Sequence, residues 1–164
     1  MKTHTIACES WLPLTPDAVF PFFADAGNLQ AITPGWLKFR ILTKTPIQMR
    51  VGARIDYMIG FKGIPLRWTS EITASKPPHL FMDEQRRGPY RLWAHTHEFV
   101  AQDGGTLCRD DVEYAVPGGS LVNRLLVRKS LEKIFTHRCR EIFRHFDAPG
   151  LRPSRLVFLT FSTE

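Results

Sequence analysis

The sequence predicts an α+β fold: a seven-stranded curved antiparallel sheet wrapped around one long C-terminal helix, with two short helices between strands 1 and 2. Three observations predict it. From Ser120 to Phe146 the apolar residues Leu121, Leu125, Leu131, Ile134, Phe135, Ile142, Phe143 and Phe146 recur at helical spacing, and arginines and lysines fill much of the rest. At about 1.5 Å per residue such a helix is roughly 40 Å long and needs a large apolar surface to lie on. The hundred residues before it read as strand after strand, joined by connections too short for parallel crossovers.

Residues 3–12 form the first expected strand, with neither face purely polar. Thr15 is a candidate N-cap, followed by Pro16 in the favoured first helical position and Asp17 near the positive helix end. This predicts a helix over 16–24, with Pro21 in its first turn or at a kink. Asp25 to Ile32 is a second short helix, stopped by Pro34-Gly35. Strands are then expected at 37–43, 55–61, 66–75, 80–85, 90–101 and 107–116. The firmest turn signal is Asp103-Gly104-Gly105, whose residues accept positive φ. Gly118-Gly119 ends the last of these strands, and Ser120 is the expected cap of the long helix. Residues 1–147 read as one domain and 148–164 as an extension of unassigned structure, containing the β-prone run LVFLTF.

The chain has 164 residues, 43% hydrophobic and 23% charged, the composition of an ordinary globular domain. No apolar run reaches the roughly 18 residues of a membrane span. The N-terminus has no apolar signal-peptide core, so a cytoplasmic protein is expected. Cys8, Cys108 and Cys139 are odd in number and widely spaced, which argues for free thiols rather than disulfides or a zinc knuckle. The net charge of +6 is concentrated on the last helix and at Arg86-Arg87. It leaves open peripheral contact with an anionic membrane. No aromatic-plus-basic strand platform or recognition helix points to nucleic acid.

Several local marks carry a resemblance. They are Pro16-Asp17-Ala18-Val19-Phe20, Asn28-Leu29, Thr33-Pro34, Val51-Gly52, the run from Gly88-Pro89-Tyr90 to Glu98-Phe99, Gly104-Gly105-Thr106, Asp111-Val112-Glu113-Tyr114 and Pro117-Gly118-Gly119. In these and in element order, residues 3–147 resemble the START/Bet v 1-like (SRPBCC, helix-grip) superfamily, and within it the small bacterial cyclase/dehydrase-type ligand-binding proteins. The resemblance implies a cavity between the concave sheet face and the long helix. It implies no single activity, because one fold hosts many functions.

Alternation places Trp93, His95, His97 and Phe99 on one face of their strand. The resemblance turns that face inward, giving a mostly apolar lining with two polar anchors. Trp68, Tyr57, Met82 and Tyr114 are further lining candidates, and Leu131, Phe135 and Arg138 are candidates for the opposite wall. His95 and His97 are near enough in a strand to share a metal ion, but the spacing specifies no third ligand, so no metal is expected. No P-loop, GxSxG elbow or dinucleotide-binding GxGxxG is present, and no cofactor is expected. Asp110, Asp111 and Glu113 are candidates to orient a catalytic histidine. The leading expectation is binding or transport of a small hydrophobic molecule. The alternatives are a cofactor-independent cyclase/dehydratase-type enzyme using His95 or His97, and an accessory or regulatory module acting through protein contacts, for which the 151–164 tail is a candidate; a homodimer is left open.

Overall fold

A computed structural model describes residues 1–148 and 155–162. Its strands are β1 (Lys2–Leu12), β2 (Arg40–Ile41), β3 (Arg54–Phe61), β4 (Ile64–Lys76), β5 (Leu80–Arg87), β6 (Leu92–Gln102), β7 (Gly105–Ala115) and β8 (Arg155–Ser162). The helices are α1 (Pro16–Phe23), α2 (Asn28–Ala31), α3 (Gly119–Val122) and α4 (Arg128–His145). The strands form one sheet in the order β2-β3-β4-β5-β6-β7-β1-β8, and every neighbouring pair is antiparallel. The seven expected strands and the long C-terminal helix are therefore present, in a helix-grip fold.

The β6–β7 connection is the expected two-residue hairpin. Asp103 and Gly104 both take positive φ, at 51° and 75°, the pair of signs a type I′ turn requires. Gly105 has a second reason to be glycine: a Cβ there would collide with the Leu12 carbonyl oxygen and the Trp11 ring. This close approach lets β1 lie flat against β7.

Three expectations are corrected. Strand 2 shrinks to Arg40–Ile41, because Gly35–Leu37 winds into a 3₁₀ turn that ends at Lys38 in a left-handed conformation. The long helix begins one residue earlier than expected, after Gly118 (φ 85°), so Ser120 lies inside it rather than capping it. Between α3 and α4 the helix widens into a π turn, Asn123–Val127, that buries Asn123 and accepts a 3.0 Å hydrogen bond from the Tyr114 hydroxyl. The extra residue shifts the phase of the apolar stripe. Leu121 and Leu125 consequently face solvent, both 60% exposed, instead of joining the core.

Past that turn the stripe follows the sequence. Leu131, Phe135, Arg138, Cys139, Ile142 and Phe143 are the buried face of α4. They seat the helix on two apolar clusters. One joins Ile142 and Phe143 to Phe20, Phe22 and Phe23 of α1 and to Phe81 and Phe99 of the sheet. The other joins Leu131, Phe135 and Cys139 to Ile6, Cys8, Val112 and Tyr114 of β1 and β7. All three cysteines are free and buried.

The C-terminal run that sequence reasoning left unassigned adds β8 to the outer edge of β1, from Lys2↔Ser162 to Glu9↔Arg155. Among the described residues no helix is long and apolar enough to cross a membrane.

Candidate functional site

Between α4 and strands β3 to β6 lies a cavity of about 430 Å³. The β3 wall is Ile55, Tyr57 and Ile59, and the β4 wall is Leu66, Trp68, Ser70 and Ile72. Trp93, His95 and His97 enter from β6, and Leu131, Ile134, Phe135 and Arg138 from α4. Strand alternation and the helical repeat thus converge on one space, as expected for a mostly apolar small-molecule site. Trp68 anchors an aromatic corner, stacked on Tyr57 (centroids 5.8 Å apart) and edge-on to Trp93 (5.2 Å).

Of the sequence-derived candidates, Trp93, His95, His97, Trp68, Tyr57, Leu131, Phe135 and Arg138 meet at this cavity. Three others are placed elsewhere. Phe99 lies past the end of the cavity, packed against Phe20 and Phe23 of α1. Tyr114 is in the core under the π turn, held by Asn123. Met82 falls between the lining residues Phe81 and Asp83, so alternation turns it to the other face of β5.

The polar groups of the sheet wall form one cluster, assembled from four strands and α4. Asp83 of β5 pairs in register with His95, and Asp110 of β7 pairs with His97. The two imidazoles lie with centroids 3.8 Å apart and planes tilted by 40°. On one side both face Asp110 Oδ1, from His95 Nε2 at 3.2 Å and His97 Nδ1 at 2.6 Å. The second contact is short but bent away from the N–H direction, so it acts as a charge contact rather than an aligned hydrogen bond. On the other side both face Asp83 Oδ2, from His97 Nε2 at 3.5 Å and His95 Nδ1 at 3.8 Å.

Each carboxylate is fixed from behind. Arg138 Nε donates to Asp110 Oδ2 at 3.2 Å, and Ser70 Oγ donates to Asp83 Oδ1 at 2.9 Å. Ser70 in turn receives the Trp68 indole N–H at 3.1 Å and lies 3.2 Å from the Tyr57 hydroxyl. The polar chain therefore runs across the cavity from β3 to α4.

The charges within it bias one another. Burial pushes His95 down to about 4, helped by the neighbouring His97, and the carboxylates only partly offset this. Burial opposes charge on His97 as well, but Asp110 and Asp83 outweigh it and hold that imidazole above its ordinary value. Asp110 also works against burial, yet Arg138 and His97 hold it well below the usual carboxylate range. Asp83 is lowered for the same reason, by His97 and His95 against its own burial. Two carboxylates thus face one guanidinium and one imidazole held towards its charged form, the opposition of charges under which a buried ionic cluster is tolerated.

The sequence places the two histidines on one face and offers Asp110, Asp111 and Glu113 as acids to orient one of them. Asp110 is the orienting acid, whereas Asp111 and Glu113 alternate to the opposite, exposed face of β7. Spacing singles out neither Asp83 nor Ser70, because each sits on another strand whose register brings it to the histidines. The available sign was a lone acid on an otherwise apolar set, Cys108, Asp110, Val112 and Tyr114. Asp83, His95 and His97 also constitute a two-histidine, one-carboxylate donor set, with one donor atom of each within 4.8 Å of the others.

With the site described, comparison with known proteins decides the family. Residues 12–142 match the family model described as polyketide cyclase / dehydrase and lipid transport. The chain belongs to this family. It is therefore a START/Bet v 1-like protein. Solved structures support the same fold. Protein CV1439 from Chromobacterium violaceum shares 14% identity at a TM-score of 0.66, covering 92% of this chain and 99% of that one. Protein Ms6760 from Mycobacterium smegmatis shares 18% at 0.63, covering 88% and 91%. Ginseng major latex-like protein 151 from Panax ginseng shares 13% at 0.61, covering 88% and 97%. Among curated proteins none matches by sequence. For this cyclase/dehydrase-family chain, the helix-grip cavity is the site at which a ligand-binding function would be exercised.

Proposed function

We propose that this chain binds a small hydrophobic molecule in the cavity between the sheet and α4. One observation carries the reading: about 430 Å³ of space walled mostly by aliphatic and aromatic side chains, with Asp83, His95, His97 and Arg138 gathered at one place on its wall. Such a site rewards an apolar body and selects its orientation through one polar end. Membership of a family that includes lipid transport supports the reading. Native mass spectrometry of gently purified protein, followed by denaturing extraction, tests it. A co-purifying apolar molecule, or saturable binding of an apolar fluorescent probe that Trp93→Ala weakens, is the expected result. No bound molecule together with no probe binding would overturn the reading.

A second reading is favoured by the unequal histidines. His95 is held towards its neutral form and His97 towards its charged form in the same cavity, and an acid and a base set apart by environment are what proton-transfer chemistry requires. A cyclase/dehydratase-type reaction on a poly-β-ketone would use them. Under this reading His95→Ala and His97→Ala abolish turnover, and under the first they change affinity only modestly.

A further inference from the structure

His95 Nε2 and His97 Nδ1 both face Asp110 Oδ1, at 3.2 and 2.6 Å. In the neutral tautomers that place the ring protons on the two nitrogens facing Asp110, His95 Nδ1 and His97 Nε2 carry lone pairs, and both of these nitrogens converge on Asp83 Oδ2. In those tautomers three electron-rich atoms face one another, an arrangement that a cation in place of the His97 proton would stabilise. Their separations from the oxygen, 3.8 and 3.5 Å, are too long for good hydrogen bonds. They are close to the roughly 3.3 Å that separates two ligands of a tetrahedral ion bound at about 2.0 Å.

The surroundings fit the same reading. Imidazoles that ligate a metal almost always present their other nitrogen to a carboxylate or carbonyl, which fixes ring orientation. Here one oxygen of Asp110 serves both rings, and Arg138 holds the other oxygen. Ser70 holds Asp83 Oδ1, which leaves Oδ2 turned to the histidines. With both imidazoles neutral, as ligation demands, two buried carboxylates face a single guanidinium, so the cluster has room for added positive charge.

We propose that Asp83, His95 and His97 form a binding site for a first-row divalent cation of the zinc or ferrous-iron type. Two imidazoles and one carboxylate suit that class of ion, whereas calcium and magnesium favour oxygen donors. All three donors come from two adjacent strands and line the cavity, so the remaining coordination positions open towards it. A cavity ligand bearing a keto, hydroxyl or carboxylate oxygen at one end would complete the sphere. The site does not depend on which apolar molecule fills the cavity.

The test is zinc titration of chelator-stripped protein by calorimetry, together with histidine-selective NMR. The expected result is one zinc per chain, with the His95 and His97 imidazole signals shifted in the wild-type protein. Asp83→Asn, which keeps the side-chain size, should weaken binding by about tenfold or more, and His97→Ala should weaken it further. His79→Ala, on an exposed residue, should leave it unchanged. Failure to bind zinc, shifts confined to other histidines, or an Asp83→Asn variant that binds as tightly as wild type would each overturn the proposal. The NMR result on the wild-type chain decides even if His97→Ala does not fold.

Discussion

His95 and His97 lie with ring centroids 3.8 Å apart, held between the Asp83 carboxylate on one side and the Asp110 carboxylate on the other. Two imidazoles this close titrate as a pair rather than as two independent groups. The first proton is welcomed, because two carboxylates flank it, and the second is resisted by burial and by the first.

This sets an acid-side stability loss. His95 is depressed to about 4 from an ordinary value of 6.5, so the unfolded chain binds more protons there in between. Its contribution is fully present above pH about 6.5 and is lost as pH falls through about 4. A shift of this size corresponds to about 3 kcal/mol. His97 has the opposite sign: its contribution is present below its ordinary value and lost as pH rises through the raised one. Urea melts of chelator-treated protein should show stability falling between pH 6.5 and 4, and His95→Gln should flatten that slope. An unchanged slope in the variant would remove His95 from the account.

Removing Arg138 leaves Asp110 buried with one cation fewer. Arg138→Met should cost about 3 kcal/mol, because an uncompensated buried charge is expensive. The double variant Asp110→Asn, Arg138→Met should cost less than the sum of the two single changes, by about 1 kcal/mol or more, since the pair is in direct contact. Denaturant midpoints for the cycle measure this, and simple additivity would mean that the two groups do not support each other.

Much of this was legible in the chain and some was not, for separate physical reasons. The strand and helix order could be read because turn chemistry is local: Asp103-Gly104 closes a hairpin whatever surrounds it. The Trp93-His95-His97 face could be read because strand alternation is local too. The acids opposite them depend on register between strands, and a single sequence does not carry register. On β4 the pairing also slips between Thr69 and Ser70 and again between Ile72 and Ala74. The apolar stripe of the last helix misled at Leu121 and Leu125, because one wide turn at Asn123 to Val127 rotates everything before it.

Phe99 and Trp93 share a strand face but should respond differently to truncation. Phe99 is 2% exposed and touches Phe20, Phe23 and Phe81. Phe99→Ala should cost about 3–5 kcal/mol of stability, as for other buried aromatics, and should leave the affinity of an apolar probe near wild type. Trp93→Ala removes cavity wall beside Trp68 and should lower probe affinity while costing less stability. Thermal melts with probe titration separate the two, and a matching loss of affinity in both variants would place Phe99 at the ligand after all.

β8 covers the outer edge of β1 along eight register pairs, from Lys2↔Ser162 to Glu9↔Arg155. An uncovered strand of this length offers a row of free N–H and C=O groups to other chains. In the sheet order β1 and β7 stand between β8 and the cavity-lining strand β6. A chain ending at residue 148 should therefore still bind an apolar probe, but should melt at lower temperature and associate as concentration rises. Light scattering across a concentration series, alongside probe titration, measures both. A truncated chain that stays monomeric with an unchanged melting temperature would show that β1 needs no cover, and would leave the tail's contribution to be sought in contacts with a partner.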